Sequence, residues 1–170
     1  MTSNGPISAF SDEVDKIVDS WSRQRPDLDT SPMLVLSRIS RLARHLDLER
    51  RTAFADHDLE PWEFDVLASL RRSGAPFALT PGRLMTELLV SSGTMTNRID
   101  RLEAKGLVER SRESNDRRSI TVTLTDKGRD CVDGALMTLL ACEQRILSPL
   151  SESELELLGN LLRPLLLPFE

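Results

Sequence analysis

The chain has few of the residues that build catalytic and metal sites. Among its 170 residues there are two cysteines, two histidines, no tyrosine and only 4% aromatic residues. Two cysteines cannot form a disulfide framework, and His45 and His57 beside them do not make a zinc quartet. No Ser/His/Asp or Cys/His arrangement, glycine-rich phosphate loop or metal-ligand spacing is visible. We therefore expect neither an enzyme nor a bound metal or cofactor.

Long apolar runs are also lacking. No stretch approaches the roughly 20 apolar residues that a membrane helix needs. The polar residues 1–6 lack the basic and apolar segments of a secretory signal. With 39% hydrophobic and 29% charged residues, the composition is that of a globular domain and not of a disordered chain. These features predict a cytoplasmic protein with an ordinary core and no membrane contact.

Apolar residues recur at three- and four-residue spacing, which predicts helices at both ends of the chain. The N-terminal helices are expected over about residues 7–24, which carry Val14, Val18 and Trp21, and from Ser31 to about residue 54. The C-terminal ones are expected over about residues 126–147 and from the capping box of Ser151 and Glu154 onward. The leucines of these last two helices form a wide stripe, and burial in a dimer is the simplest outlet for it.

The middle of the chain combines helices with a hairpin. Pro61 opens a helix that Gly74 ends, Thr80-Pro81 caps a short helix, and Ser91-Ser92-Gly93 begins another that Gly106 ends. Residues 107–112 and 119–124 then read as two strands joined by a turn. The pattern predicts a mainly α (α+β) fold, a winged helix-turn-helix with N- and C-terminal dimerisation helices. The expected divisions are residues 1–60, 61–125 and 126–170.

The helix that follows Ser91 carries polar side chains on its outward face. They are Ser92, Thr94, Thr96, Asn97, Arg98 and Arg101. A winged helix places such a helix in the DNA major groove, about 12 Å wide, and its hairpin on the neighbouring backbone or minor groove. Asn97 suits adenine, Arg98 and Arg101 suit guanine or phosphate, and the hydroxyls suit phosphate. Arg117 and Arg118 stand at the hairpin tip, so we predict binding to double-stranded DNA.

The net charge of −5 does not contradict a DNA partner, because the charge is unevenly distributed. Residues 91–118 hold seven basic and five acidic residues, a local charge of +2, while the rest of the chain carries −7. DNA affinity depends on where the basic residues point and not on the total charge. The acidic remainder helps to restrict DNA contact to one face.

The chain resembles the MarR family of bacterial transcriptional regulators. The resemblance rests on residues 91–103, on Gly106-Leu107-Val108, on Asp116-Arg117-Arg118 and on residues 124–128, together with the order of the elements. It implies a homodimer joined through its terminal helices that binds a palindromic operator, usually as a repressor. It also implies that Arg118 enters the minor groove and that Asp116 steadies the wing.

The likeness is closer to the urate-responsive, PecS-like branch of that family, because residues 7–24 match its additional N-terminal helix. This resemblance implies an effector site of Trp21, Asp65 and Arg98, with Ser73 where the branch usually has asparagine. An aromatic plate can stack on a flat ligand, and an arginine can bind an anion. The effector is left open between a urate-like purine and another aromatic or carboxylate anion. If Asp65 holds Arg98 in the absence of ligand, effector binding would displace the recognition helix and oppose DNA binding.

Several residues also admit plainer interpretations. Trp21 could be a core or dimer-interface aromatic, and an Asp65–Arg98 pair could be purely structural. Cys131 and Cys142 lie about 16 Å apart along one helix, too far for a bridge, and are interpreted as packing residues, with redox sensing the alternative. A winged helix used only for protein–protein interaction is the alternative to DNA binding.

Overall fold

The computed structural model describes residues 11–112 and 120–169. The elements are α1 (Glu13–Gln24), α2 (Ser31–Ala55), α3 (Pro61–Arg72), β1 (Ala78–Leu79), α4 (Pro81–Leu88), α5 (Ser92–Ala104), β2 (Val108–Arg112), β3 (Ile120–Leu124), α6 (Asp126–Leu147) and α7 (Glu152–Leu166). A short 3-10 helix, Leu167–Phe169, follows α7. The chain forms two compact units, residues 1–48 and residues 49–170. The predicted class, a mainly helical winged helix-turn-helix, is confirmed.

In the first unit, α1 begins later than the spacing of apolar residues predicted. Asp12 accepts hydrogen bonds from the backbone N–H groups of Val14 (2.8 Å) and Asp15 (3.1 Å), and the Asp15 carboxylate accepts one from Asp12 N–H (2.9 Å). This capping box sets the helix start at Glu13. Residues 7–10, where the predicted helix began, lie outside the described residues.

Arg38 of α2 ties the start of α1 to α2. Its guanidinium donates to Asp12 (2.8 Å and 3.0 Å) and to Asp15 (2.7 Å). The hydrogen bond from Arg38 lowers the pKa of the Asp12 carboxyl. The pKa of the Asp15 carboxyl is lowered by the Asp12 backbone N–H first and by Arg38 second. Both carboxylates therefore stay ionised while they hold the two helices together.

The core of the second unit surrounds α3. Its fully buried members come from α2, α3, α4, α5, the sheet and α6, and include Phe54, Val66, Leu67, Leu70, Leu84, Met95, Ile99, Leu102, Val122 and Ala135. The rings of Phe54 and Phe64 stack with their centroids 4.2 Å apart. The apolar sides of α3 and α5 are thus buried.

The three strands form one antiparallel sheet with the order β1-β3-β2; β1 precedes α4, and β2 and β3 follow α5. β2 and β3 form the predicted hairpin, with Val108 opposite Leu124 and Arg112 opposite Ile120. β1 was not predicted, because two residues are too few to show alternation. It is held by pairing with β3, where Ala78 lies opposite Thr123.

Two left-handed residues shape the turns around α5. Leu89, with φ 52°, ends α4, and its N–H bonds to the Met85 carbonyl. Gly106, with φ 71°, ends α5: its N–H bonds to Glu103 O (2.9 Å), and Leu107 N–H bonds back to Leu102 O (3.0 Å). This is a Schellman-type ending, and it directs the chain into β2.

The two C-terminal helices differ in what they bury. α6 buries Val132, Ala135 and Leu139, whereas Leu136, predicted on the same stripe, is half exposed. Among the described residues, α7 buries none of its side chains. The α7 part of the predicted leucine stripe therefore lies on the surface of the chain.

The start of α6 depends on the absence of a side chain at position 128. A Cβ built on Gly128 would lie 1.9 Å from the backbone oxygen of Leu107, whereas one built on Gly93, in the first turn of α5, meets nothing within 4 Å. Because the Leu107 contact is backbone, we expect Gly128→Ala to lower the unfolding free energy by about 2–3 kcal/mol. Gly93→Ala is the matched control and should change it by less than about 1 kcal/mol. Urea denaturation at one fixed protein concentration measures both, and equal effects would contradict this explanation.

Candidate nucleic-acid interface

The start of α5 is fixed by an N-cap and by its buried side. Ser91 Oγ accepts a hydrogen bond from Thr94 N–H (3.3 Å) and lies 2.9 Å from Thr94 Oγ1. Met95, Ile99 and Leu102 are buried in the core. These anchors decide which face of the helix meets solvent.

The residues predicted to contact DNA lie on this outward face. Ser92, Thr94, Thr96, Asn97 and Arg101 are exposed, and Arg98 is half-buried. Thr94, Asn97, Arg98 and Arg101 line a cleft of about 390 Å³ together with Gly93 and Trp62. The Thr96 hydroxyl donates to the Ser92 carbonyl (3.0 Å), so its hydrogen is already engaged within the helix. Arg117 and Arg118 lie outside the described residues, as does Asp116.

Trp62 and Glu60, which sequence analysis did not select, contact the two arginines of α5. The Cζ atoms of Arg98 and Arg101 lie 5.4 Å and 4.7 Å from the centroid of the Trp62 ring. Glu60 accepts hydrogen bonds from Trp62 Nε1 (2.7 Å) and from Arg101 Nη2 (2.9 Å). These two donors, the indole first, lower the pKa of the Glu60 carboxyl.

Arg110 of β2 joins the hairpin to the other side of α5. Its guanidinium pairs with Asp100 and with Glu103 (3.0 Å), and it donates to the Thr96 carbonyl (3.4 Å). The Asp100 and Glu103 carboxylates of α5 are thus neutralised by Arg110 of the hairpin and not by Arg98 or Arg101. The distribution of charge along α5 therefore leaves a basic edge beside Trp62.

A buried ion pair links the end of α5 to the start of α3. Glu63 has 0% exposure, and its Oε2 accepts from Lys105 Nζ (2.9 Å) and from Glu60 N–H (2.9 Å). Lys105 also donates to the carbonyl of Asp58 (2.8 Å). The sequence carries a capping-box pattern that could have located this segment. Glu60 is followed three residues later by Glu63, and Pro61 is the first helical residue.

The four predicted effector residues have distinct surroundings. Trp21, half exposed, lies on α1 in the first unit. In the second unit, Asp65 Oδ1 lies 3.7 Å from Arg50 Nη2, so its arginine partner is not the expected Arg98. The Cζ atom of Arg98 lies over the Trp62 ring instead. Ser73 caps α3 and donates its hydroxyl hydrogen to the Leu70 carbonyl (2.7 Å).

The cysteines lie within α6 and pack against its neighbours. Cys131 Sγ lies 3.6 Å from the His57 carbonyl, and burial raises the pKa of this thiol. Cys142 is buried. For Cys131, a raised pKa disfavours the reactive thiolate, which agrees with its interpretation as a packing residue.

The described part of the chain contains neither a metal-binding cluster nor a membrane-spanning helix. No group of three or more His, Cys, Asp or Glu side chains there could hold a metal ion. No helix there is long and apolar enough to span a membrane.

The sequence is similar to those of known transcriptional regulators. The model of the MarR family matches residues 57–119. The HTH-type transcriptional regulator PecS of Dickeya dadantii is 41% identical over 84% of this chain and 86% of its own length. MhqR of Bacillus subtilis, also an HTH-type transcriptional regulator, is 30% identical over 74% of this chain and 84% of its own.

Solved structures agree in fold. YusO from Bacillus subtilis has a TM-score of 0.66 at 26% identity, covering 81% of this chain and 97% of that one. A mutant MarR from E. coli complexed with operator DNA has a TM-score of 0.65 at 27% identity, covering 82% and 99%.

The helix pair α4–α5 and the hairpin after it define a winged helix-turn-helix protein of the DNA-binding class. The chain belongs to the MarR family of transcriptional regulators, and the proteins of this family are not enzymes.

The ion pairs of Arg110 with Asp100 and Glu103 can be tested for their contribution to the attachment of the hairpin to α5. In Arg110→Ala the Asp100 and Glu103 carboxylates, three residues apart on α5, lose their shared cation. We expect the unfolding free energy to fall by about 1 kcal/mol, because the pairs are partly exposed, and the loss to shrink at high salt. Arg83→Ala is the control, because Arg83 Nη2 lies 3.3 Å from Glu87 Oε1 in an exposed pair within α4. It should cost no more than about 0.5 kcal/mol. Urea denaturation at two salt concentrations compares the variants, and a salt-independent loss would contradict the ionic origin.

Proposed function

We propose that the chain acts as a homodimeric repressor that binds a palindromic operator and is released from it by a small planar anion. α5 enters the major groove, and the hairpin carrying Arg117 and Arg118 contacts the adjacent backbone or minor groove. Residues 1–60 supply the effector and dimerisation helices, residues 61–125 the DNA-binding domain, and residues 126–170 further dimerisation helices.

The observation that carries the DNA-binding part is the division of α5 into two faces. Three apolar residues are buried, while Thr94, Asn97 and Arg101 are exposed together beside Arg98. Amide and guanidinium groups on one exposed helix face are the groups that recognise base edges in the major groove. The pairing of Asp100 and Glu103 with Arg110 reduces the repulsion that they would exert on phosphates. The MarR structure that contains operator DNA, which is similar in fold, supports the same placement.

The dimer is supported by the surface of α7. Its leucines remain exposed: Leu157, Leu158, Leu161, Leu165 and Leu166. An isolated helix of about 15 residues is marginal in water and is normally stabilised by packing of its apolar face. A second copy of the chain would cover this face and would bring two α5 helices to two half-sites, as a palindromic operator requires.

The effector site is supported by the chemistry of its residues. Trp21 offers a half-exposed ring for stacking, and the half-buried Arg98 offers a guanidinium. An anion that draws Arg98 away from the Trp62 ring changes a side chain on the DNA-reading face. Its negative charge would also repel the Asp65 carboxylate. Ligand and DNA would then oppose each other with a reciprocal coupling of about 1–3 kcal/mol.

DNA binding is tested by fluorescence anisotropy with the intergenic duplex beside the protein's own gene. We expect specific binding by two protomers per duplex and an affinity that falls by orders of magnitude between about 50 and 200 mM salt. Arg118→Ala should weaken binding about tenfold or more, because it removes a groove contact. Arg145→Ala is the matched control, since Arg145 is an exposed arginine of α6 beside Glu49. A salt-independent interaction would favour a protein–protein module, and an unchanged affinity for Arg118→Ala would remove the proposed wing contact.

The effector site is tested by adding urate or salicylate to the DNA complex. A ligand of the right class should weaken DNA binding about 5- to 150-fold, and DNA should weaken ligand binding by the same factor. Trp21→Leu and Asp65→Asn should each reduce that factor. Asp133→Asn is the control, because Asp133 is likewise an exposed carboxylate with an arginine partner, Arg71 at 2.9 Å. If a ligand releases the DNA equally from all of these variants, the site has been assigned wrongly.

A further inference from the structure

Trp62 lies at the start of α3 and faces two guanidinium groups of α5. The ring centroid is 5.4 Å from Cζ of Arg98 and 4.7 Å from Cζ of Arg101. Residues three apart on a helix are neighbours on one face, so a single indole can contact both side chains. A cation within about 6 Å of the indole face is attracted by the negative potential of the ring.

Glu60 fixes the orientation of this ring. One carboxylate oxygen, Oε2, accepts from Trp62 Nε1 at 2.7 Å, and the other, Oε1, accepts from Arg101 Nη2 at 2.9 Å. The backbone of Glu60 is itself held, because its N–H donates to the buried Glu63 carboxylate. Glu63 also accepts a hydrogen bond from Lys105 at the end of α5. The segment that carries the Trp62 ring is therefore attached to the same helix as the two arginines.

We infer that Trp62 is a positioning residue that orients Arg98 and Arg101 for base recognition, and that Glu60 holds the Trp62 ring for this purpose. The inference rests on the proposed DNA binding. A guanidinium held over an aromatic ring keeps N–H groups at its edge for hydrogen bonds. Arg101 uses one of them on Glu60, and its other N–H groups remain to meet a base. A long side chain that is ordered before binding loses less conformational entropy in the complex.

The position of the cleft indicates what the arginines are oriented toward. Trp62 forms one wall of it, and Thr94 and Asn97 line it beside the two arginines. The two guanidiniums are therefore held next to the amide and hydroxyl that offer further hydrogen bonds to base edges. This arrangement makes Trp62 a determinant of sequence preference rather than of general affinity for DNA.

The ion pair between Glu60 and Arg101 suggests a competing explanation of how this cluster affects DNA binding. A carboxylate bound to Arg101 could act only as a competitor for phosphate, which would weaken binding to every duplex by the same factor. A positioning set instead affects the base pairs that the arginines read. The two explanations therefore differ in base preference and not in overall affinity.

The experiment starts from duplexes that the wild-type chain selects from a random-sequence library. We expect Trp62→Leu to lower the preference for the selected sequence about tenfold, at the same base pairs that Arg98→Ala and Arg101→Ala relax. The salt dependence should remain that of the wild type, because both arginines keep their charge. Trp62→Phe keeps an aromatic face and should retain most of the preference. In an Arg98→Ala/Arg101→Ala background, Trp62→Leu should have no further effect on preference.

Glu60→Gln provides a second variant that changes only one exposed carboxyl. It should relax the same base pairs as Trp62→Leu, whereas Glu49→Gln, which removes the carboxylate beside Arg145 at 3.7 Å, should not. Should Trp62→Leu fail to fold, as judged by circular dichroism, Glu60→Gln decides the question.

Two results would overturn the inference while the proposed function stands. They are an unchanged base preference in Trp62→Leu and Glu60→Gln, and a loss of affinity that is equal for all duplexes. A wild-type chain that selects no sequence would instead contradict the proposed function, and this inference with it.

Discussion

The burial of one side of α5 is the constraint on which the rest of the interface depends. Met95, Ile99 and Leu102 enter the core around α3, and the Ser91 cap sets where the helix begins. Once these contacts are made, the helix can neither rotate nor slide without exposing apolar surface. The polar face, with Asn97 and Arg101, is therefore presented in a defined orientation. A recognition helix needs this rigidity, because base contacts tolerate little displacement.

Charge is organised around the same helix in two directions. The carboxylates of Asp100 and Glu103 form ion pairs with Arg110 of the hairpin. The guanidiniums of Arg98 and Arg101 contact the ring of Trp62. The ion pairs that attach the hairpin to α5 thus also separate the acidic side chains of this helix from its basic ones. It explains how a chain with a net charge of −5 can present a basic edge.

The two C-terminal helices differ in how their apolar residues are covered. α6 buries its stripe within the chain, and Gly128 lets its first turn approach the Leu107 backbone. α7 has seven leucines against four in α6, yet all seven remain at least partly exposed. A helix of this kind is completed by another polypeptide, which is why the homodimer is central to the function that we propose.

The sequence by itself determined the order of the helices, the hairpin and the buried face of α5, because periodicity and capping residues are local signals. It also identified Asn97, Arg98 and Arg101 as outward residues. Only the tertiary structure decided the partners of those residues: Trp62 and Glu60 beside the arginines, Arg50 beside Asp65, and Arg110 across α5. The pairing of β1 with β3 was decided in the same way. Such contacts join residues that are distant in the chain, and no local pattern specifies which charged or aromatic side chain a folded surface will bring within reach.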